Sequence, residues 1–479
     1  MQEMEVDVAV IGAGTAGLAA YRAARAQHRR AVLIESGPYG TTCARVGCMP
    51  SKLLIAAADA AHALHAAPAF GVHPGAVHID GQAVMARVRS ERDRFVGFVL
   101  EGVGAIPDSD KLRGHARFTG PHTLQVDQHT RVTAQRIVIA TGSAPLVPGP
   151  LQGLAGVIVN DDVFAWTDLP ASLAVIGSGV IGLELGQALQ RLGVRVSIFA
   201  RGRSVAQLSD PDVRSAAARA LGDELDLRFD MTLTGAARDG EEVRLTLRDG
   251  HGIERAEHFE LVLAAAGRTP NVHELGLEHS GLQRDKDGIP LFDPLTMQCG
   301  ASHIFIAGDA DDERPVLPEA ADQGRIAGDN AGRYPAVHPG LRRVPLAIAF
   351  TEPQIATVGA GYGALHAPGQ PRCAIGAVSF ENQGRSRVML QNKGMLRVYG
   401  EYGTGRFLGA EMAGPRAEHI GHLLAWACQS RLTVAQMLEL PFYHPVVEEG
   451  VRTALRELAA ELAKGAPDCE SGQDCVPGV

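Results

Sequence analysis

Positive charge is in short supply in this chain: 45 Lys and Arg face 54 Asp and Glu, a net charge of −9 with histidine neutral. No basic surface is therefore expected for nucleic acid or for an anionic membrane, and neither is expected as a partner. Cysteine is sparse too, with seven residues in 479 and no C-x-x-C. That spacing speaks against a zinc site, and a chain of this length buries its apolar surface without disulfides. Long apolar runs are also missing, because Gly, Pro or a charge interrupts each before it reaches bilayer length. The opening MQEMEVDVAV carries acids where a secretory signal needs a basic flank. We expect a cytosolic (cytoplasmic) protein of two to four domains. In that reducing compartment a close cysteine pair is catalytic or metal-binding more often than structural.

What the chain does contain is an internal repeat. The stretch beginning DVAVIGAGTAGLAA at Asp7 and the stretch beginning SLAVIGSGVIGLEL at Ser172 align with an offset of 165. Each reads as an apolar strand, a G-x-G-x-x-G turn, an Ala/Leu-rich helix and a second apolar strand. The glycines are Gly12, Gly14 and Gly17 in the first copy and Gly177, Gly179 and Gly182 in the second. Such a turn brings backbone N–H groups and a helix N-terminus against a pyrophosphate. One copy alone is weak evidence; two copies with the full unit around them predict two dinucleotide sites.

The copies differ where the second strand ends. Glu35 in the first is placed to accept hydrogen bonds from an unphosphorylated ribose, as FAD presents. Ala200 occupies that place in the second, followed by Arg201 and Arg203, which suit a 2′-phosphate. FAD is assigned to the first site and NADPH, with NADH as the alternative, to the second.

Between the copies lies CARVGCMPSK, from Cys43 to Lys52. On a regular helix, residues five apart are separated by about 7.5 Å along the axis, so a bond between the two thiols requires a bend. Gly47 can supply it. So short a loop gains about 2 kcal/mol from closure, too little to be the reason for the pair. With no further ligands nearby for a metal, a redox-active pair is the remaining reading. It opens an alanine-rich helix predicted from Leu53 to about Ala67.

At these residues the chain resembles the pyridine nucleotide-disulfide oxidoreductases of the dihydrolipoamide dehydrogenase, glutathione reductase and mercuric reductase type. The likeness extends through ATGSAP from Ala140, GSGVIGLELG from Gly177, AAGRTPN from Ala265, IFIAGDA from Ile304, FTEPQIATVG from Phe350 and HPVVEE from His444. The resemblance implies an α/β homodimer with two Rossmann-like dinucleotide-binding domains and an α+β C-terminal dimerisation domain. The FAD domain would be split (1–147 and 271–339), with the NAD(P) domain at 148–270, the interface domain at 340–464 and a flexible tail at 465–479. It implies that Gly142 and Asp309 join Gly12, Gly14, Gly17 and Glu35 at FAD, and that Gly267 joins Gly177, Gly179, Gly182, Arg201 and Arg203 at the nicotinamide nucleotide. Lys52 and Glu184 would pair beside the flavin ring. Cys48 would be the sulfur on the flavin side and Cys43 the exposed exchanger, with His444, oriented by Glu449, as acid-base partner from the other subunit.

The activity implied is electron passage between a nicotinamide nucleotide, FAD, the Cys43–Cys48 disulfide and a dithiol or disulfide substrate, either small or lipoyl-bearing. The chain departs from the lipoamide enzymes at Ala200, at LPEAA from Leu317, where Glu319 stands in place of a histidine, and at Val446. Other readings on the same scaffold are a pyridine nucleotide transhydrogenase, an assembling subunit of a 2-oxoacid dehydrogenase complex, and a mercuric or thioredoxin-type reductase. The last would use Cys469 and Cys475 in the tail as an electron relay. Cys299, Cys373 and Cys428 read as buried small hydrophobes.

Overall fold

In the computed structural model, which describes residues 1–370 and 372–466, the first copy forms β1 (Gln2–Ile11), α1 (Thr15–Ala26) and β2 (Ala31–Glu35). After it come α2 (Thr42–Val46), α3 (Cys48–Ala66), α4 (Gly81–Gly104), β3 (Lys111–Arg113), β4 (Ala116–Gly120), β5 (Thr123–Val126), β6 (Thr130–Ile139) and β7 (Ser143–Pro145). Val8 to Ile11 are buried on both faces, as befits a parallel strand covered above and below. The strands run in the order β3-β2-β1-β6, with Val10 beside Leu33 on one side and Val138 on the other. The long β6 serves two neighbours: its first half pairs antiparallel with β5. Its second half receives a parallel strand from far along the chain.

The second copy forms β8 (Val157–Ile158), α5 (Asn160–Val163), β9 (Ser172–Ile176), α6 (Val180–Arg191) and β10 (Arg195–Phe199), then α7 (Pro211–Gly222) and β11 (Asp226–Arg228). An antiparallel layer, β12 (Thr232–Asp239), β13 (Glu242–Arg248) and β14 (Glu254–Phe259), precedes β15 (Leu261–Ala264), and the parallel order is β11-β10-β9-β15-β8. The chain then returns through β16 (Arg268–Pro270), which lies antiparallel to β7, so that Thr269 faces Ala144. Next, β17 (Ile304–Ile306) completes the first sheet by pairing with Ile137 to Ile139 of β6. Helix α8 (Leu317–Arg333) follows and packs on α1 so closely that a Cβ on Gly324 or Gly328 would lie 2.2 Å from the carbonyl oxygen of Ala16 or Ala20.

The last unit is α+β: β18 (Leu346–Ala349), β19 (Gln354–Gly359), α9 (Tyr362–Leu365), β20 (Cys373–Ser379), α10 (Gly384–Val388), β21 (Met395–Glu401) and β22 (Phe407–Gly414), then α11 (Ala417–Gln429), α12 (Val434–Glu439) and α13 (Glu449–Ala463). The sheet is antiparallel in the order β18-β19-β22-β21-β20. Val358, Val398, Met412, Leu424 and Leu455 fill the core between it and the helices.

Helix boundaries and apolar runs differ from expectation in one region. The helix after the cysteine motif begins at Cys48, five residues earlier than predicted, because Pro50 sits in its first turn, where no backbone donor is needed. The helical stretch Thr42–Phe70 is also long and apolar enough, by length and composition, to cross a membrane, against the reading that every such run is interrupted. Its charges are few, and one of them, Lys52, is satisfied by an ion pair within the protein.

Candidate active site

The two glycine turns have the same division of labour. A Cβ on Gly12 would lie 2.2 Å from the Ala140 carbonyl oxygen, and one on Gly177 would lie 2.3 Å from that of Ala265. Gly17 and Gly182 would strike the carbonyl oxygens of Gly12 and Gly177, at 1.9 and 2.2 Å. Those four glycines are required by the protein's own packing. Gly14 and Gly179 are not, since a Cβ there meets nothing within 4 Å. The open side of the first turn is a cavity of about 580 Å³ lined by Gly14, Glu35, Thr41, Thr141 and Gly142, and the buried Thr141 hydroxyl has no hydrogen-bond partner among the described residues. Glu35 closes the strand end by accepting from Ala13 N and Gly37 N, both at 2.7 Å. A wider opening of about 1010 Å³ between His115, His129, His273 and His279 adjoins this cavity but contains neither cysteine of the motif. Among the described residues no group of three or more His, Cys, Asp or Glu could hold a metal.

The cysteine motif is bent at Gly47. Thr41 caps α2, accepting from Ala44 N at 3.3 Å, and α3 starts immediately after the glycine. A Cβ on Gly47 would be 3.1 Å from the Thr42 carbonyl oxygen and 3.2 Å from Cys43 Cα, so a side chain there would press on the turn before it and glycine fits the bend most easily. Both cysteines are thiols, and Cys43 donates to Cys48. That hydrogen bond, helped by the Lys52 cation, lowers Cys48 to about 7 from about 9. The same bond and burial push Cys43 upward. Within one chain Cys48 is the exposed member and Cys43 is half-buried.

Lys52 reaches Glu184 on α6 at 2.7 Å, and Glu184 is 4% exposed. The second oxygen of Glu184 accepts from Phe350 N at 2.8 Å, and the Lys52 ammonium lies 4.5 Å from the centre of the Phe350 ring. Sequence reading missed the continuation of this contact. Seven residues further along both helices, Asp59 of α3 meets Arg191 of α6 at 2.9 Å, with the charges exchanged between helices. Arg191 also binds Glu224 at 2.7 Å and Glu352 at 3.0 Å, and Gln187 between them donates to Glu224 and to the Glu352 carbonyl. Burial raises Asp59 above the usual carboxylate range, against the pull of Arg191. The matching seven-residue offset of Lys52/Asp59 and Glu184/Arg191, with signs reversed, was the available signal.

Asp309 follows β17 and accepts from the Ser143 hydroxyl at 2.9 Å, while Arg268 Nε donates to that hydroxyl oxygen at 2.8 Å. This ties the ends of β7, β16 and β17 together. His444 Nδ1 is 3.0 Å from Glu449 Oε2, its side chain is 81% exposed, and among the described residues it makes no hydrogen bond to either cysteine. Pairing with His444 lowers Glu449 below the usual carboxylate range. At the second site, Gly267 has φ +130 with open space at its Cβ position, as does Gly142 at φ +68. Arg201 and Arg203 are exposed, and Arg203 is bound to Asp230 at 2.8 Å. Glu319 is buried in ion pairs with Arg314 and Arg342. Cys299 is buried as expected, whereas Cys373 and Cys428 are only partly so. Cys469 and Cys475 lie outside the described residues.

The sequence model described as pyridine nucleotide-disulphide oxidoreductase matches residues 6–324, and that of the corresponding dimerisation domain matches 345–455. The chain belongs to the pyridine nucleotide-disulphide oxidoreductases. Among its relatives are the mercuric reductases of Shigella flexneri, 34% identical over 93% of this chain and 80% of the relative, and of Acidithiobacillus ferrooxidans, 33% identical over 96% and 83%. The mitochondrial dihydrolipoyl dehydrogenase of Pisum sativum is 27% identical over 94% and 91%. In fold it is similar to LpdA from Mycobacterium tuberculosis, with a TM-score of 0.80, 24% identity and 96% and 100% of the two chains covered. It is also similar to the flavoprotein disulfide reductase RclA from Escherichia coli, with a TM-score of 0.78, 22% identity and 95% and 99% covered.

Membership makes the protein a flavin-dependent oxidoreductase that uses FAD and NAD(P)H and carries a dimerisation domain. The first glycine turn fits the flavin nucleotide on its own geometry. Gly14 is left bare where protein packing does not ask for it, and the Thr141 hydroxyl, without a partner among the described residues, lines the same cavity.

Proposed function

We propose that the protein is an FAD-dependent NAD(P)H:disulfide oxidoreductase in which Cys43 and Cys48 exchange electrons with a small disulfide or dithiol, dihydrolipoamide being the first to test. The observation that supports it is the thiol pair itself: Cys43 and Cys48 stand on either side of the bend at Gly47, with Lys52, held by Glu184 at 2.7 Å, one turn beyond Cys48 on the same helix. Bound FAD supplies two-electron transfer between a nicotinamide nucleotide and the cysteine pair. Gly12, Gly14, Gly17, Glu35, Gly142 and Asp309 would hold it, and Gly177, Gly179, Gly182 and Gly267 would hold the nucleotide.

In the reducing direction Cys43 gives its proton to His444 of a second copy as its sulfur forms a bond to one sulfur of the substrate, and the other leaves as a thiolate. His444 of a second copy, oriented by Glu449, protonates it. Cys48 then attacks Cys43, forming the Cys43–Cys48 disulfide and releasing the second substrate thiol. Two electrons have left the cysteine pair, and two thiols have replaced one disulfide. The unit that holds FAD is proposed to comprise 1–147 and 271–339, the insert 148–270, and the dimer-forming unit 340–464. The purified protein should be yellow and should oxidise NADPH in a disulfide-dependent manner, and Cys43→Ser should lose that activity. Colourless protein, or full activity in Cys43→Ser, overturns the reading.

A second reading, supported by the identity to two mercuric reductases, is that Cys469 and Cys475 relay electrons from Cys43 of the other subunit to a metal ion or bulky disulfide. Truncation after Lys464 should then abolish mercuric-ion-dependent NADPH oxidation while sparing a small disulfide. Equal turnover of both substrates by intact and truncated protein overturns the relay.

A further inference from the structure

Helix α2, which carries Cys43, is five residues long. A helix so short has little stability of its own, and its last carbonyls are left over where the chain breaks off at Gly47. One of them is held from outside. Asn160 Nδ2 donates to the Val46 carbonyl at 3.0 Å, across 114 positions of sequence. Val46 stands between the two cysteines, immediately before the bend. The segment that grips it belongs to the insert with the second glycine turn.

The hook is well anchored. Asn160 is 6% exposed, and its Nδ2 also donates to Asp161 Oδ1 at 2.8 Å. Both partners are acceptors, so only the nitrogen side of the amide can face them. Behind Asn160, Val163 and Phe164 at the end of α5 are buried in one cluster with Leu54 and Ala58 of α3. Arg92 of α4 donates to the Phe164 carbonyl at 2.8 Å. Asp161 faces the redox segment as well: burial raises it above the usual carboxylate range, against the pull of Arg268 and of Arg45, and Arg45 also lies between the cysteines.

A disulfide needs its two Cα atoms within about 7 Å of each other, and a pair of thiols already held for that geometry has a high effective concentration. Loosening α2 gives freedom chiefly to the dithiol, because in the disulfide the S–S bond itself keeps the loop closed. Loss of the hook therefore favours the dithiol. We propose that Asn160 is a positioning residue for the Cys43–Cys48 couple, holding the Val46 carbonyl so that the bend stays closed in the dithiol and the reduction potential of the pair is lowered. The inference rests on the reading of Cys43 and Cys48 as a redox pair, and it gives the insert a share in setting the potential of that pair.

The test uses the FAD-loaded, full-length protein, equilibrated without oxygen in mixtures of reduced and oxidised dithiothreitol. In each exchange the Cys43–Cys48 bond breaks, two electrons and two protons pass to the cysteines from dithiothreitol, and its own sulfurs join in a ring. Free thiols are trapped with iodoacetamide and counted by mass spectrometry. Asn160→Ala should shift the equilibrium about tenfold towards the dithiol, which places the midpoint about 30 mV less negative. Asn160→Asp keeps the size of the side chain and removes both donors, and should shift it the same way. A shift of less than about twofold in both variants, whatever their loss of stability in urea, makes Asn160 a merely structural residue and overturns the proposal. A shift towards the disulfide overturns it too. Wild-type protein that forms no reversible Cys43–Cys48 disulfide overturns the disulfide reading and this inference with it, whereas variants that share the midpoint of a reversible wild type overturn this inference alone.

Discussion

The two dinucleotide units fold their glycine turns alike and use the helices that follow in opposite ways. Helix α1 presents Ala16 and Ala20 to Gly324 and Gly328 of α8, backbone against backbone with no room for a methyl group. Helix α6 buries Glu184, Gln187 and Arg191 instead, each at 8% exposure or less. With them it reaches α3, which begins at Cys48, and the segment Phe350 to Glu352 between β18 and β19 of the last unit. A dry contact is non-directional and fails only when overfilled. A buried charge network specifies register, and fails when one member is removed. The duplicated unit is therefore a static floor for one nucleotide in its first use, and in its second a joint between the nucleotide, the thiols and the last unit.

Breaking the joint should have the largest effect. Arg191→Met leaves Asp59, Glu224 and Glu352 without their shared cation, and we expect a loss of about 3–5 kcal/mol in urea unfolding. A loss under about 1 kcal/mol would mean that water already satisfies these carboxylates. Overfilling the dry contact comes next. In Gly328→Ala the added methyl lies 2.2 Å from the Ala20 carbonyl oxygen, so α1 and α8 must separate at a cost of about 2 kcal/mol. Helix propensity alone would favour alanine by about 1 kcal/mol, so an observed gain in stability would show that the helices are not this close.

How much of this was legible in the sequence follows from the same contrast. The glycine turns were readable because their requirement is a backbone one, imposed at fixed spacing wherever the unit occurs. Fold class could be inferred from the repeat together with the resemblance. Lys52 and Glu184 could be named only through the resemblance, since a lysine and a helical glutamate 132 positions apart carry no local mark of partnership. Asp59, Arg191, Glu224 and Glu352 were missed for that reason, although the paired seven-residue spacing on α3 and α6 was in plain sight.

The turns themselves offer a matched test of a smaller effect. Gly14→Ala and Gly179→Ala add a methyl group that meets no protein atom, and neither should lower stability by more than about 1 kcal/mol. Each should instead weaken one nucleotide by about tenfold or more, since the methyl stands where the pyrophosphate must approach the backbone. Gly14→Ala should lose FAD on dialysis while Gly179→Ala keeps it and shows a raised KM for NADPH. If both variants lost FAD equally, the assignment of one nucleotide to each turn would fail.

The smallest effect concerns the point where the second copy touches the chemistry. Cys48 titrates at about 7 because Cys43 donates to its sulfur and because Lys52, held in place by Glu184 of α6, favours the thiolate. A lowered thiol is deprotonated above that value and reactive there. Below it, each pH unit should slow alkylation about tenfold, as the thiolate alone is the nucleophile. Cys43, shifted upward, stays protonated through the same range. In reduced protein stripped of flavin, iodoacetamide should therefore label Cys48 first, with a half-maximal rate near pH 7. Lys52→Met removes the cation and leaves Glu184 as an unopposed negative neighbour, so the midpoint should rise by about one pH unit. Replacing Glu184 with leucine in the same protein should bring it part of the way back, because that carboxylate pushes Cys48 upward. An unchanged midpoint in Lys52→Met would assign the lowered value to the Cys43 hydrogen bond alone, and α6 would then support the redox helix without tuning it.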